Sequence, residues 1–239
     1  MSEEQQSNGL VPVVKSNLPV STQNNEVFQD LAKSAAFLGR LQLYSKGAAI
    51  MKGLIGSGEF GIPEGDEKIT VLGGKLDAVV LARRPKALDI SDTNAIVQSF
   101  DPNSADFKRI SKESNTKDSG CMYGVSFLIY ERTSKRFLEY FAGTKTARGC
   151  CGDLFPFLPE SHAADAEYLT PVTMSSRLIE KGTYAWHAPV FNKCSTPIDL
   201  PAQDRVAEEM TKFLNPDMNT SSGETVSEDE AAATTGRRR

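Results

Sequence analysis

The sequence of 239 residues lacks long apolar runs and contains only four cysteines and two histidines. No stretch approaches the ~18 consecutive apolar residues that a membrane span needs. The N-terminal residues have neither the basic nor the apolar region of a secretory signal. The four cysteines, two of them adjacent, do not have the spacing of a disulfide framework. We therefore expect a soluble protein of a reducing compartment, the cytoplasm, or the host-cell cytoplasm if the chain is viral.

The scarcity of cysteine and histidine also limits metal and catalytic chemistry. Zinc sites usually draw their ligands from closely spaced pairs. No such pair exists among the candidates, which are Cys121, Cys150, Cys151, Cys194, His162 and His187. A cysteine nucleophile needs a base beside it, so an enzyme would have to place Cys121, Cys150 or Cys151 against His187 in a deep pocket. We expect no metal, no cofactor and no catalytic residue, and hence a protein that is not an enzyme.

Composition divides the chain into three parts. Residues 1–22 are rich in Ser, Asn and Gln and predict a disordered arm. Residues 217–239 predict a disordered acidic tail, which ends in three arginines. Residues 23–216 predict a single β-rich domain, with N-terminal and C-terminal helices, that is mildly basic in its middle: positions 40–193 carry twenty basic and eighteen acidic side chains.

Within the domain, alternating apolar residues predict strands and a 3.6-residue spacing predicts helices. The glycine-rich segment 41–74 does not have the spacing of a phosphate-binding loop, and it predicts short strands joined by tight turns. Further strands are expected over residues 76–81 and 95–100, with hairpins over 123–142 and 172–191 in one sheet or barrel. Helices are expected over residues 25–39, 106–111, 145–154 and 202–214. Pro85 predicts that Arg83 to Lys86 leave their strand at an edge or bulge.

The strongest functional signal is a set of basic residues interleaved with aromatics. Positions 81–148 carry twelve Lys or Arg against eight Asp or Glu. Cations that neutralise phosphates, beside aromatic rings that stack on bases, are typical of single-strand binding. The candidate cations are Arg83, Arg84, Lys86, Lys108, Arg109, Arg132, Lys135, Arg136, Lys145 and Arg148. The candidate stacking residues, of which an exposed subset would bind bases, are Tyr123, Phe137, Tyr140 and Trp186. The alternative is that these aromatics belong to the core.

The order of elements, with a helix before the last two strands, resembles an elaborated, partly open oligonucleotide-binding (OB) barrel, a β-rich α+β fold. Segments 81–88, 121–127 and 184–189 are similar in character to bacteriophage proteins. The resemblance is to phage single-stranded DNA-binding proteins. It implies non-catalytic binding of single-stranded DNA in replication or recombination, with the acidic C-terminal tail contacting replication or recombination proteins. The terminal arginines depart from the acidic ends of such tails.

A second interpretation is a virion or assembly protein, in which the aromatics are buried and residues 1–22 insert into a neighbouring subunit. The sequence leaves open DNA against RNA, the biological process and whether the chain forms a homo-oligomer.

Overall fold

The computed structural model describes residues 38–64, 68–92, 95–116, 118–159 and 169–216. The strands are β1 (Gly39–Leu43), β2 (Phe60–Pro63), β3 (Ile69–Gly73), β4 (Lys75–Asp89), β5 (Val97–Ser99), β6 (Cys121–Glu131), β7 (Arg136–Ala142), β8 (Pro171–Lys181) and β9 (Tyr184–Lys193). The helices are α1 (Ala48–Met51), α2 (Ala105–Glu113), α3 (Lys145–Cys150) and α4 (Gln203–Leu214), with a 3-10 helix at Cys151–Phe157. In this part of the chain, no helix is long and apolar enough to cross a membrane.

The protein is β-rich, and its nine strands form one sheet in the order β3-β2-β1-β7-β6-β4-β8-β9, with β5 paired to the end of β4. Every pair is antiparallel except β1 with β7. No backbone ladder closes the described sheet into a barrel. Hydrogen bonds still link its ends: Ser176 Oγ donates to Gly58 O, and His187 N donates to Ser45 Oγ, both at 2.7 Å. Because Ser45 and Gly58 lie between β1 and β2, the sheet curls until that connection contacts β8 and β9.

Side chains on both faces of the sheet are buried along β4, whose successive residues point to opposite sides. Leu76 and Val80 pack on one face in a cluster that includes Leu154 of the 3-10 helix. Val79 packs on the other face in a cluster that includes Phe213 of α4. Each fully buried side chain of this kind contributes about 1.5–3 kcal/mol relative to an exposed one. The two clusters hold α3, α4 and the sheet together.

The two hairpin predictions are confirmed, as β6 pairs with β7 and β8 with β9 in one sheet. The helices expected near 106–111, 145–154 and 202–214 are also present. Their N-termini follow local capping chemistry: Ser104 Oγ accepts from Phe107 N at 3.1 Å, and Thr144 Oγ1 accepts from Ala147 N at 3.2 Å. The predicted helix over 25–39 lies mostly outside the described residues, and Gly39 belongs to β1.

The prediction that Arg83 to Lys86 leave their strand is wrong. They continue β4, which runs for fifteen residues, and Pro85 pairs with Val125 of β6. The other side of β4 pairs with β8 only as far as Val79 and with β5 only from Ala87. Pro85 therefore lies where one side of the strand has no neighbour, and its missing amide hydrogen does not interrupt the strand.

Candidate functional site

The three cations of the β6–β7 turn lie at the surface, but two of them have acidic partners. Arg132 Nη1 lies 3.5 Å from Asp77 Oδ2, and Arg136 Nη1 lies 3.2 Å from Glu64 Oε1. Lys135 is exposed and makes no ion pair with any described residue. Exposed ion pairs are worth about 0–1 kcal/mol, so a phosphate could displace these carboxylates. Only Lys135 offers a charge without breaking an existing contact.

Arg84 and Lys86 are packed inside the protein around Glu139. Lys86, which is 4% exposed, donates from Nζ to both carboxylate oxygens of Glu139 at 2.9 and 2.8 Å. Ser126 Oγ donates to one of the same oxygens at 2.5 Å. Arg84 Nη2 lies 3.5 Å from Glu139 Oε1. The Arg84 guanidinium also stacks on the ring of Phe213 and donates a hydrogen bond to the carbonyl oxygen of Phe213. The arrangement is an internal ion network, and it leaves little of either cation at the surface.

Charge balance determines the ionisation of this network. Burial disfavours the carboxylate of Glu139, but attraction and hydrogen bonds from Lys86, with Ser126 and Arg84, outweigh burial and hold its pKa below the usual range. One carboxylate therefore faces two cations, which leaves the buried group with one positive charge in excess. Phe141 is the aromatic neighbour on one side, with its ring centroid 5.4 Å from Lys86 Nζ.

The remaining predicted cations are dispersed over the sheet and two helices. Arg83 is exposed, and its guanidinium lies 4.3 Å from the ring centroid of Phe155. Lys108 and Lys145 are exposed in α2 and α3. Arg148 is half-buried and donates to two backbone carbonyls. None of these residues belongs to the β6–β7 turn.

The four predicted stacking residues have different environments. Phe137 and Tyr140 are 7% and 3% exposed and belong to the core, so the expectation that they present a face to a base is not met. Tyr123 is half-buried, and the guanidinium of Arg148 covers its ring at 4.2 Å from the centroid. Trp186 is half-buried in β9. Phe137 and Tyr140 therefore belong to the core, as the alternative interpretation expected, whereas part of the Trp186 side chain is still accessible to a ligand.

Asp89, Glu113 and Cys121 form a group of potential metal ligands that the sequence spacing did not indicate. Their ligand atoms lie within 4.8 Å of one another. Arg109 already bridges the carboxylates, since its Nη1 lies 2.8 Å from Asp89 Oδ2 and 3.0 Å from Glu113 Oε2. Hydrogen bonds from Ser91 and then from Arg109 lower the pKa of Asp89 to about 2, and burial, reinforced by Glu113, raises the pKa of Cys121 to about 11. The thiol is therefore protonated at neutral pH.

Among the described residues, the other candidates for catalysis do not form a nucleophile and base. Cys151 is buried next to Cys150, and burial raises the pKa of its thiol. His187 Nδ1 lies 3.3 Å from Ser176 Oγ, and no hydrogen bond joins His187 to a described cysteine. His162 lies outside the described residues.

An open cleft of about 650 Å³ lies where the two ends of the sheet approach each other. β1 and the turn after it form one wall, β9 forms the other, and the end of β7 with the start of α3 lies between them. The polar and aromatic lining residues are Arg40, Gln42, Ser45, Lys46, Tyr140, Phe141, Thr144, Thr146, Tyr184, Trp186 and His187. Among the residues that the structure describes, no acidic side chain lines this cleft.

The cleft contains cations without ion-pair partners next to aromatic rings. Arg40 and Lys46 make no ion pair with any described residue. Tyr184 is 69% exposed. The buried Nε1–H of Trp186 has no hydrogen-bond partner in the described chain. A cleft with two unpaired cations and several aromatic side chains is suited to an anionic ligand that also carries flat, apolar surfaces.

The exposed edge of β9 does not favour the addition of another strand. His187 N points away from β8 and is already bonded to Ser45 Oγ. Two residues further along the same edge, Pro189 has no amide hydrogen to donate. Recognition in the cleft therefore depends on side chains rather than on a backbone ladder.

Sequence reasoning placed Trp186 in the site but missed Arg40, Lys46 and Tyr184. Tyr184 directly follows the two-residue turn of the predicted 172–191 hairpin, a position where a large aromatic is generally exposed. That signal was present in the sequence. Arg40 and Lys46 gave no local signal, because only the curling of the sheet brings β1 to β9.

Comparisons of the chain with protein-family models, with curated proteins and with solved structures found no match.

Proposed function

We propose that the cleft between β1 and β9 binds single-stranded nucleic acid, DNA in the first instance, without catalysis. The observation that carries the proposal is a cleft with Arg40, Lys46, Tyr184 and Trp186 in its walls and no acidic side chain among its described lining residues. The two cations would neutralise phosphates and the two rings would accept unpaired bases.

The size and position of the cleft support single strands over duplex. A cleft of about 650 Å³ lies within the ~300–1,000 Å³ range of small-ligand pockets, so it has room for single nucleotides and not for a duplex. Flat unpaired bases reach the rings of Tyr184 and Trp186, whereas stacked bases do not. The excess positive charge of the buried Arg84–Lys86–Glu139 group, behind Phe141 of the cleft, adds a favourable potential for a polyanion.

An OB-like identity for the fold is part of this proposal. A curled, mostly antiparallel sheet with a helix before its last hairpin supports it. The proposed roles of residues 217–239 in contacting replication or recombination proteins rest on the sequence alone.

Binding is tested by fluorescence anisotropy with labelled oligothymidylate, the matching duplex and the matching RNA at several salt concentrations. We expect single strands to bind best, with log affinity falling as log salt rises. The variant Arg40→Ala/Lys46→Ala should lower the magnitude of that slope by about 1.4, at about 0.7 for each lost phosphate contact. The control Lys112→Ala/Lys193→Ala removes two exposed cations outside the cleft and should leave the slope unchanged. An equal response in both variants would contradict the proposed site.

The second candidate is a virion or assembly protein. The burial of Phe137 and Tyr140 is the observation that favours it, because a structural role was expected to bury the hairpin aromatics. Absence of binding to every oligonucleotide at low salt, together with a concentration-dependent increase in mass by light scattering, would support this candidate instead.

A further inference from the structure

The β8–β9 hairpin extends beyond the rest of the sheet. β8 pairs with β4 only as far as Ser175, which lies opposite Lys75. From Ser176 onward, β8 has β9 as its sole strand partner in the described structure, up to the turn at Gly182. Eight of the nine residues from 177 to 185 are exposed. This projecting ribbon begins beside the cleft, because Tyr184 and Trp186 of β9 also line the cleft.

One face of the ribbon carries cations and aromatic rings together. Directly paired residues point to the same face, and residues two apart along a strand do so as well. Arg177 pairs with Ala188, Ile179 with Trp186 and Lys181 with Tyr184. The register therefore places the following side chains on one face: Arg177, Ile179, Lys181, Tyr184 and Trp186.

The charges on this face have no partner within the described protein. Neither Arg177 nor Lys181 makes an ion pair with a described residue, and both are exposed. The acidic neighbour, Glu180, pairs with Ala185 and so points to the opposite face. Positive charge and aromatic surface thus continue outward from the cleft, and no acidic side chain of the ribbon lies on the same face.

We infer that this ribbon face extends the cleft as a track for a polynucleotide chain, in which Arg177 and Lys181 bind phosphates of nucleotides that lie outside the cleft. The inference rests on the proposed function and adds a length requirement to it. Arg177 and Lys181 are four residues apart, which spans ~13 Å at ~3.3 Å per residue. A ligand that reaches them must be longer than one confined to the cleft.

The test compares the parent with Arg177→Ala/Lys181→Ala over oligothymidylates from three to twelve nucleotides. Both side chains are exposed, so the variant should fold normally, and Lys112→Ala/Lys193→Ala is the control of equal charge change. Lys193 lies at the opposite end of β9. We expect the shortest oligonucleotide to bind parent and variant equally, and the loss of affinity in the variant to grow with length and then level off. For the longest oligonucleotide, the salt slope should fall by about 1.4.

Four outcomes distinguish failure of the ribbon inference from failure of the proposed function. Equal affinity of parent and variant at every length would overturn the ribbon inference and leave the cleft proposal intact. The same fold-loss at every length would also overturn it, because the cations would then act on nucleotides within the cleft. Absence of binding by the parent at every length would reject the proposed function itself. Binding of anionic lipid vesicles in place of oligonucleotides would identify the cationic and aromatic face as a membrane contact and overturn the inference.

Discussion

Replacement of Glu139 by glutamine should destabilise the fold strongly, because it removes the only negative charge in a buried group with two cations. Lys86 would keep its ammonium at 4% exposure without a counter-charge, and Ser126 would lose its carboxylate acceptor. Removal of one partner of a buried ion pair typically costs about 3–5 kcal/mol. At ~2–4 °C per kcal/mol for a chain of this size, the melting temperature should fall by roughly 6–20 °C.

The assay is urea unfolding at neutral pH, with Lys112→Ala as a surface control expected to change stability by less than about 0.5 kcal/mol. Double-mutant analysis with Lys86→Met shows whether the cost comes from the unpaired charge. Lys86→Met/Glu139→Gln should be less destabilising than the sum of Lys86→Met and Glu139→Gln, since the Lys86 ammonium is then no longer buried without its counter-charge. A cost of less than about 1 kcal/mol for Glu139→Gln would refute the network as a stabilising element.

The pH dependence follows from the lowered pKa of Glu139. A carboxyl group whose pKa is lower in the folded than in the unfolded protein adds stability above its unfolded value of about 4.3. That stability is lost as the pH falls through the folded pKa. The difference in stability between the parent and Glu139→Gln should therefore be constant from pH 5 to neutrality and should shrink below about pH 4. A difference that stays constant down to pH 2 would show that Glu139 is not the group that titrates.

Further expectations concern the cleft, the turn cations and the helix cap. Tyr184→Ala should weaken single-strand binding by about 1–3 kcal/mol with an almost unchanged salt slope; Tyr184→Phe should bind like the parent, as should Phe155→Ala, which removes an aromatic outside the cleft. Replacement of Arg132, Lys135 and Arg136 by alanine should change single-strand affinity only by about twofold, because Asp77 and Glu64 already pair with two of them. A complete loss of binding in the anisotropy assay would instead show that the β6–β7 turn is the binding site. Ser104→Ala should cost about 1 kcal/mol in thermal unfolding through the lost cap of α2, and no measurable cost would mean that water replaces the hydroxyl.

The sequence predicted the local elements well where a single periodicity acts over a short range. The alternation from Tyr123 to Phe141 predicted the β6–β7 hairpin, and the spacing of Val206, Met210 and Phe213 predicted the buried face of α4. Local capping residues fixed the starts of α2 and α3. These features depend on neighbours a few residues away, so the pattern contains the information.

The site was harder to predict because it depends on contacts between distant segments. Arg84 and Lys86 have the same charge as surface cations, and only Glu139, more than fifty residues further along the chain, shows that they are structural. Alternation predicted that Phe137 and Tyr140 belong to a strand but did not show that both faces of that strand are covered. Arg40 approaches Trp186 only because the sheet curls, which no local pattern reports.

The single tryptophan of the chain provides the most direct test of the central claim. Trp186 lies in the wall of the cleft, so its fluorescence reports on that site without a label. Titration of the protein with unlabelled oligothymidylate should quench this fluorescence, and the quenching should saturate at the dissociation constant found by anisotropy and weaken in Arg40→Ala/Lys46→Ala. Binding by anisotropy with no change in Trp186 fluorescence would place the nucleic acid elsewhere and contradict the account.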